Sequence, residues 1–196
     1  MRDLLWYLLA LALVQNAVLS TGLGTSVILR MTRQPRDLTL YGGLLCGFSV
    51  LSTLLFYPFK QLWLSSLPSA RLFSPVVIVG LVVLLYLLTV LILRLRAPQL
   101  LNRIQRILSL AAFNNLLIGL LLITEFSMST NLWGAIGAAI GASLGFLLLS
   151  RLIADALRRA DNPDMPAAFK GFPIALLYLG LLALALSGFT PMVNLL

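Results

Sequence analysis

Histidine is absent from the 196-residue chain, cysteine occurs once, as Cys46, and Asp and Glu together number six. A conventional zinc site, an iron–sulfur centre held by this chain's own thiolates and a Ser/His/Asp triad are thereby excluded, because each needs side chains the sequence does not supply. No metal site and no autonomous catalysis are expected. A single cysteine cannot close an internal disulfide and is silent about redox compartment, so Cys46 reads as a small buried apolar residue. Charge is scarce too: 10% of residues are charged against 60% hydrophobic, and the mean hydropathy is +1.02. No soluble core of this size could hide that much apolar surface, so the chain reads as an integral membrane protein in contact with the lipid bilayer. The net charge of +8 does not imply nucleic acid. Most basic residues cluster at the ends of apolar segments, where anionic lipid and topology selection account for them.

Apolar runs cover Leu4 to Leu29, Leu38 to Phe59, Leu72 to Leu93, Leu100 to Ile123, Leu132 to Leu149 and Phe172 to Leu195. At roughly 20 residues per crossing these are six spans, with no length left for an extramembrane domain. Arg30, Arg33 and Arg36, then Arg94, Arg96, Arg103 and Arg106, then Arg151, Arg158, Arg159 and Lys170 fall around the first, third and fifth connections, whereas Arg2, Lys60 and Arg71 are alone on the other side. The positive-inside rule therefore makes those three connections cytoplasmic and puts both termini on the periplasmic side of a bacterial inner membrane. The first run is no signal peptide. It continues to Leu29 without a small-x-small cleavage site and ends in arginines, as a stop-transfer segment does.

The first span is too long for a straight rod: Leu4 to Leu29 would reach about 39 Å at 1.5 Å per residue, against a hydrocarbon core of about 30 Å. Gln15, Asn16, Ser20, Thr21, Gly22, Gly24, Thr25 and Ser26 interrupt it with small and hydrogen-bonding residues, which predicts a broken helix at mid-membrane whose exposed backbone faces other helices. Asn114 and Asn115, followed by Gly119, repeat the theme in the fourth span. Three spans per half force the second half to enter with opposite orientation, so spans one and four correspond in an inverted repeat of residues 1–98 and 99–196 within one transmembrane domain. These amides could line a functional polar site or merely hydrogen-bond neighbouring helices. Gly134, Gly137, Gly141 and Gly145, with Ala138 and Ala142, form a small-residue stripe that permits close helix approach, inside the chain or against a partner. No ionisable residue lies near the middle of a span, which argues against a self-sufficient proton carrier.

Leu13-Val14-Gln15-Asn16-Ala17-Val18-Leu19 followed by Leu23-Gly24, Leu108-Ser109-Leu110 with Asn114, the connection Asp164-Met165-Pro166-Ala167-Ala168-Phe169-Lys170-Gly171 and the ending Ser187-Gly188-Phe189 together resemble the six-span subunits of Rnf-type electron transport complexes and Na⁺-translocating NADH:quinone reductases. The short C-terminus and outward-facing ends resemble the RnfA/NqrE branch. The resemblance implies an all-α subunit interlocked with a paralogous RnfE/NqrD-like subunit, inside a complex coupling electron transfer to Na⁺ or H⁺ movement. It also implies a 2Fe–2S cluster held in the membrane by cysteines from broken spans one and four and two from the paralogue. The sequence departs from that pattern at its chemical centre. Ser26 and Asn115 occupy the two cluster-ligand positions, Val27 replaces the proline after the first, and the acidic residue usual near Arg158 and Arg159 is missing. Neither Ser26 nor Asn115 offers a thiolate, so this chain alone is expected to bind no cofactor. Two readings stay open: a divergent subunit of such a complex, or a small inverted-repeat transporter or scaffold module without redox chemistry. The candidate residues are Gln15, Asn16, Ser26, Asn114 and Asn115 as a polar helix-break site, and Asp164, Pro166, Phe169, Lys170 and Gly171 as a partner-docking loop.

Overall fold

Leucine-rich runs without charge leave the backbone no partner but itself, and in the computed structural model every regular element among the described residues is helical. Those residues are 2–14, 16, 18–19, 22–31, 35–64, 70–126, 131–160 and 166–188. In chain order α1 spans Arg2–Leu9 and runs into a π-helical turn, Ala10–Val14; α2 is Thr25–Met31. Next, α3 covers Pro35–Phe59 and also ends in a π turn, Lys60–Leu64. Pro58 near its end removes one N–H from the ladder, a recognised cause of such loosening. Then come α4 (Ala70–Arg96), α5 (Pro98–Ala112), α6 (Asn115–Phe126), α7 (Leu132–Ala160), a 3₁₀ turn at Ala167–Phe169 and α8 (Phe172–Ser187).

Among the described residues, four helical stretches are long and apolar enough to cross a bilayer: Asp37–Leu62, Leu72–Arg96, Pro98–Thr124 and Leu132–Arg159. Asp3–Ala12 and Phe172–Ser187 are shorter apolar helices. The link between α4 and α5 is short and stiff. Only Ala97 separates them, and its N–H donates to Leu93 O at 2.8 Å while its own carbonyl accepts from Leu101 N at 3.1 Å, so hydrogen bonding continues across the joint.

The helices differ sharply in burial, and the difference fits a membrane rather than water. Some 61% of the apolar window of α7 is buried inside the chain, but only 17% of that of α4. On α4, Leu72, Val76, Leu84, Leu87 and Ile92 are exposed, an arrangement that is stable against acyl chains or another membrane helix but not against water. The core forms where Tyr41, Leu45 and Phe48 of α3, Ile78 and Val82 of α4, Leu108 of α5, Leu117 and Leu121 of α6, and Phe146 and Leu149 of α7 meet.

The central α7 gets its intimacy from the glycine stripe. A Cβ on Gly137 would collide with Leu4 O, one on Gly141 would stand 2.5 Å from Leu8 O, and one on Gly145 2.9 Å from Ala12 O. The stripe therefore packs inside the chain, against the backbone of α1 and its π turn. Ala138, Ala139 and Ala142 are buried beside it. Polar groups on this helix are returned to the backbone: Ser143 Oγ donates to Ala139 O at 2.8 Å and Ser150 Oγ to Phe146 O at 2.6 Å. Helix α7 also runs eleven residues past Leu149, where the apolar run stops. Ile153 and Ala154 stay buried on one face of that extension, and Arg151 Nη2 donates to Thr39 Oγ1 on α3 at 3.3 Å. The residues from Arg151, expected to begin a connection, are thus helical at least to Ala160, because the charged stretch retains an apolar face.

Candidate functional site

Among the described residues, helical hydrogen bonding stops at two places within apolar stretches, and at each an asparagine caps a new turn. Asn16 Oδ1 accepts the N–H of Val18 at 3.0 Å, and the Asn16 carbonyl accepts that of Leu19 at 3.0 Å. Asn114 Oδ1 accepts the N–H of Leu116 at 3.0 Å, and its carbonyl accepts that of Leu117 at 3.0 Å. An N-terminal helical turn leaves N–H groups unpaired, and in surroundings without water a short amide side chain is the economical way to satisfy them. Both asparagines are buried, at 4% and 1% exposure.

Gly22 and Gly24 have φ of 71° and 81°, values an L side chain resists. Thr25 Oγ1 closes the turn by donating to Gly22 O at 2.9 Å, and the carbonyl of Gly24 accepts from Val27 and Ile28, both at 3.1 Å, to launch α2. The second interruption is a two-residue hinge, Phe113–Asn114. Phe113 still donates its N–H to Ser109 O at 3.1 Å, and its ring lies 5.1 Å from that of Tyr86 on α4.

The two interruptions touch. A Cβ on Gly24 would lie 3.4 Å from Asn114 Oδ1 and 3.1 Å from Phe146 Cε2, so only a glycine lets the first break approach the second without displacing a neighbour. Leu23 covers Gly119 of α6 in the same way. Asn114 Nδ2 donates to the Tyr41 hydroxyl at 2.6 Å, and that hydroxyl donates to Leu110 O at 3.3 Å. Tyr41 is fully buried, with its ring 5.4 Å from that of Phe146. On the other side Asn16 Nδ2 donates to Ala12 O at 3.3 Å, in the π turn.

Of the five residues assigned to the helix-break site, Asn16 and Asn114 are buried at the breaks. Ser26, in the first turn of α2, and Asn115, the first residue of α6, are exposed on the surface of the chain. Gln15 lies outside the described residues. Tyr41 and Phe146 were not singled out by sequence. The one available signal was that a tyrosine inside an apolar run must find a partner for its hydroxyl.

In the proposed docking loop, Phe169 N–H donates to Pro166 O at 3.0 Å to form the 3₁₀ turn. Gly171, with φ of 84°, then opens α8, whose Ala175 N–H reaches Gly171 O at 3.3 Å. Phe169 is 50% exposed, and Pro166 and Lys170 are exposed beside it. Asp164 lies outside the described residues. Among the described residues no group of three His, Cys, Asp or Glu could hold a metal ion.

The fold and the paired breaks define a multi-pass helical membrane protein. Residues 4–193 match the family model described as Rnf-Nqr subunit, membrane protein, and the chain belongs to that family. It is 29% identical over 189 residues to the A subunit of the Na⁺-translocating ferredoxin:NAD⁺ oxidoreductase complex of Acetobacterium woodii, covering 96% of this chain and 97% of that one. The A subunit of the ion-translocating oxidoreductase complex of Rhodobacter capsulatus is 31% identical over 202 residues, covering 99% and 100%. Its counterpart from Tolumonas auensis is 27% identical over 195 residues, covering 100% of both.

Proposed function

We propose that this chain is a membrane subunit of an ion-translocating oxidoreductase complex of the Rnf/Nqr kind. It crosses the bacterial inner membrane six times in two inverted three-helix halves, with both ends periplasmic, and pairs with a related six-span subunit. The observation that carries the reading is the duplicated asparagine cap. Two residues 98 positions apart in the chain, one in each half, use the same atoms on the same relative neighbours, which is what corresponding positions of a repeat do. Likeness over essentially the whole chain to relatives named as subunits of such complexes supports the assignment.

The family's 2Fe–2S cluster does not fit the donors present. Ser26 and Asn115 stand at the ligand positions, and a hydroxyl and a carboxamide do not replace thiolates on iron. Cys46 is half-buried on α3, and one thiol is too few to hold a cluster. What these residues do instead is structural and electrostatic. Asn114 holds the N-terminus of α6 in place and Asn16 caps the turn at Val18–Leu19, and the N-terminus of α6 carries partial positive charge inside the bilayer. Ser26 and Asn115 lie on the exposed surface beside them, which is the face assigned here to the paralogue, and the Phe169–Lys170 corner is assigned to a cytoplasmic partner.

The test is purification of the tagged chain from its native membrane, with iron, acid-labile sulfide and EPR measured on the product. Recovery with a second six-span subunit is expected, and the chain expressed alone is expected to carry no iron. Recovery of the chain with no other subunit would instead favour a self-contained transporter or scaffold.

A further inference from the structure

A groove of about 420 Å³ runs along the surface between α3, α4 and α5, lined by Gly43, Gly47 and Leu51 from the first, Ile92 from the second, and Leu100 and Ile104 from the third. It exists because α3 presents no side chain where it could close: a Cβ on Gly43 or Gly47 would meet nothing within 4 Å. The groove opens toward the Ala97 joint. On α4, Thr89, Ile92 and Leu93 line it, and Arg96 continues their face at helical spacing. On α5, Arg103 stands three residues after Leu100 and directly before Ile104.

Arg94, Arg96, Arg103 and Arg106 are all exposed around this joint. The described parts of the three helices carry one acidic residue, Asp37, and residues 70 to 124 contain none. Helix α5 begins at the same place with Pro98 at its N-terminus and no side-chain cap on its first N–H groups, which adds to the pull on an anion. A partner helix laid in the groove would have to strip water from Arg96 and Arg103 and supply acidic residues to match. A lipid avoids that desolvation, because its phosphate sits at the arginines while its headgroup stays in water.

We propose that the groove holds an acyl chain of an anionic phospholipid, with its phosphate between Arg96 and Arg103. The site belongs to the leaflet in which the arginine-rich connections lie. It goes beyond the role proposed above, and it stands whether or not the chain handles electrons.

Native mass spectrometry of the purified complex, with dioleoyl phosphatidylglycerol or dioleoyl phosphatidylcholine added, tests it. The wild type should prefer phosphatidylglycerol. Arg96→Gln with Arg103→Gln, both exposed positions, should weaken phosphatidylglycerol binding about thirtyfold, from about 1 kcal/mol per basic residue at an anionic headgroup, and leave phosphatidylcholine unchanged. Gly47→Leu should weaken both lipids by filling the groove. Equal binding of the two lipids by the wild type, or unaltered binding by both variants with circular dichroism intact, overturns the proposal. So does a photoreactive residue at Leu51 that cross-links to another subunit instead of to phospholipid.

Discussion

Asn16 and Asn114 show how much one amide does where water is absent. The Asn114 side chain accepts from Leu116 and donates to Tyr41, so its removal strands a backbone N–H and leaves a buried hydroxyl short of a partner. Asn114→Ala is therefore expected to destabilise the protein by about 1–3 kcal/mol. Tyr41→Phe, which removes only the hydroxyl, should destabilise it by about 1 kcal/mol. Combining the two should give less than the sum, since they break one shared bond; thermal unfolding in detergent reads all three, and strict additivity would mean the Asn114–Tyr41 bond carries nothing. Both asparagines were legible in the sequence because amides are rare in apolar runs. Tyr41 was not: a tyrosine in a leucine-rich stretch looks like any other apolar residue until its neighbour is known. Nor did spacing separate the inward Asn114 from the outward Asn115, because adjacent residues at a helix restart diverge by roughly 100°.

Among the elements, α7 and α1 approach each other closely, glycine against backbone. The Gly137, Gly141 and Gly145 face could be read from its spacing, yet spacing names a face and not the helix that meets it, so α1 as the partner emerged only from coordinates. Gly141→Leu should force the two helices apart and destabilise by about 3 kcal/mol or more, as overpacking against immobile backbone does. Gly180→Leu is the internal control, because a Cβ on Gly180 in α8 meets nothing within 4 Å; it should leave the unfolding midpoint unchanged. Leucine favours a helix more than glycine does, so equal loss in both variants would mean that added bulk as such, and not contact with α1, is what destabilises. The extents of the elements were less legible than their existence. Helix α7 outlasts its apolar run because Ile153 and Ala154 keep one face in the core, and the π turn at Ala10–Val14, unlike the one that follows Pro58, leaves no mark in composition.

At the scale of the molecule, hydropathy and charge were the strongest signals. They gave a helical membrane protein, and the motifs around Asn16, Asn114 and Pro166 gave its family. The arrangement in the bilayer proposed from the arginine asymmetry can be tested directly. In a Cys46→Ser background, a single cysteine at Arg158 should react with a membrane-impermeant maleimide only after the membrane is opened. One at Lys60 should react in intact spheroplasts. The reverse pattern would invert the topology and move the proposed lipid into the other leaflet. How the chain's halves cooperate was beyond the sequence, because the meeting of Gly24 with Asn114 joins residues ninety positions apart in the chain.

The one-residue link at Ala97 has a mechanical consequence. With hydrogen bonds running through it on both sides, α4 and α5 form a stiff tuning fork whose prongs cannot slide past each other. Any shift along the α4–α6 stretch is then taken up further along, at the Phe113–Asn114 elbow, where a single amide serves as both bearing and latch.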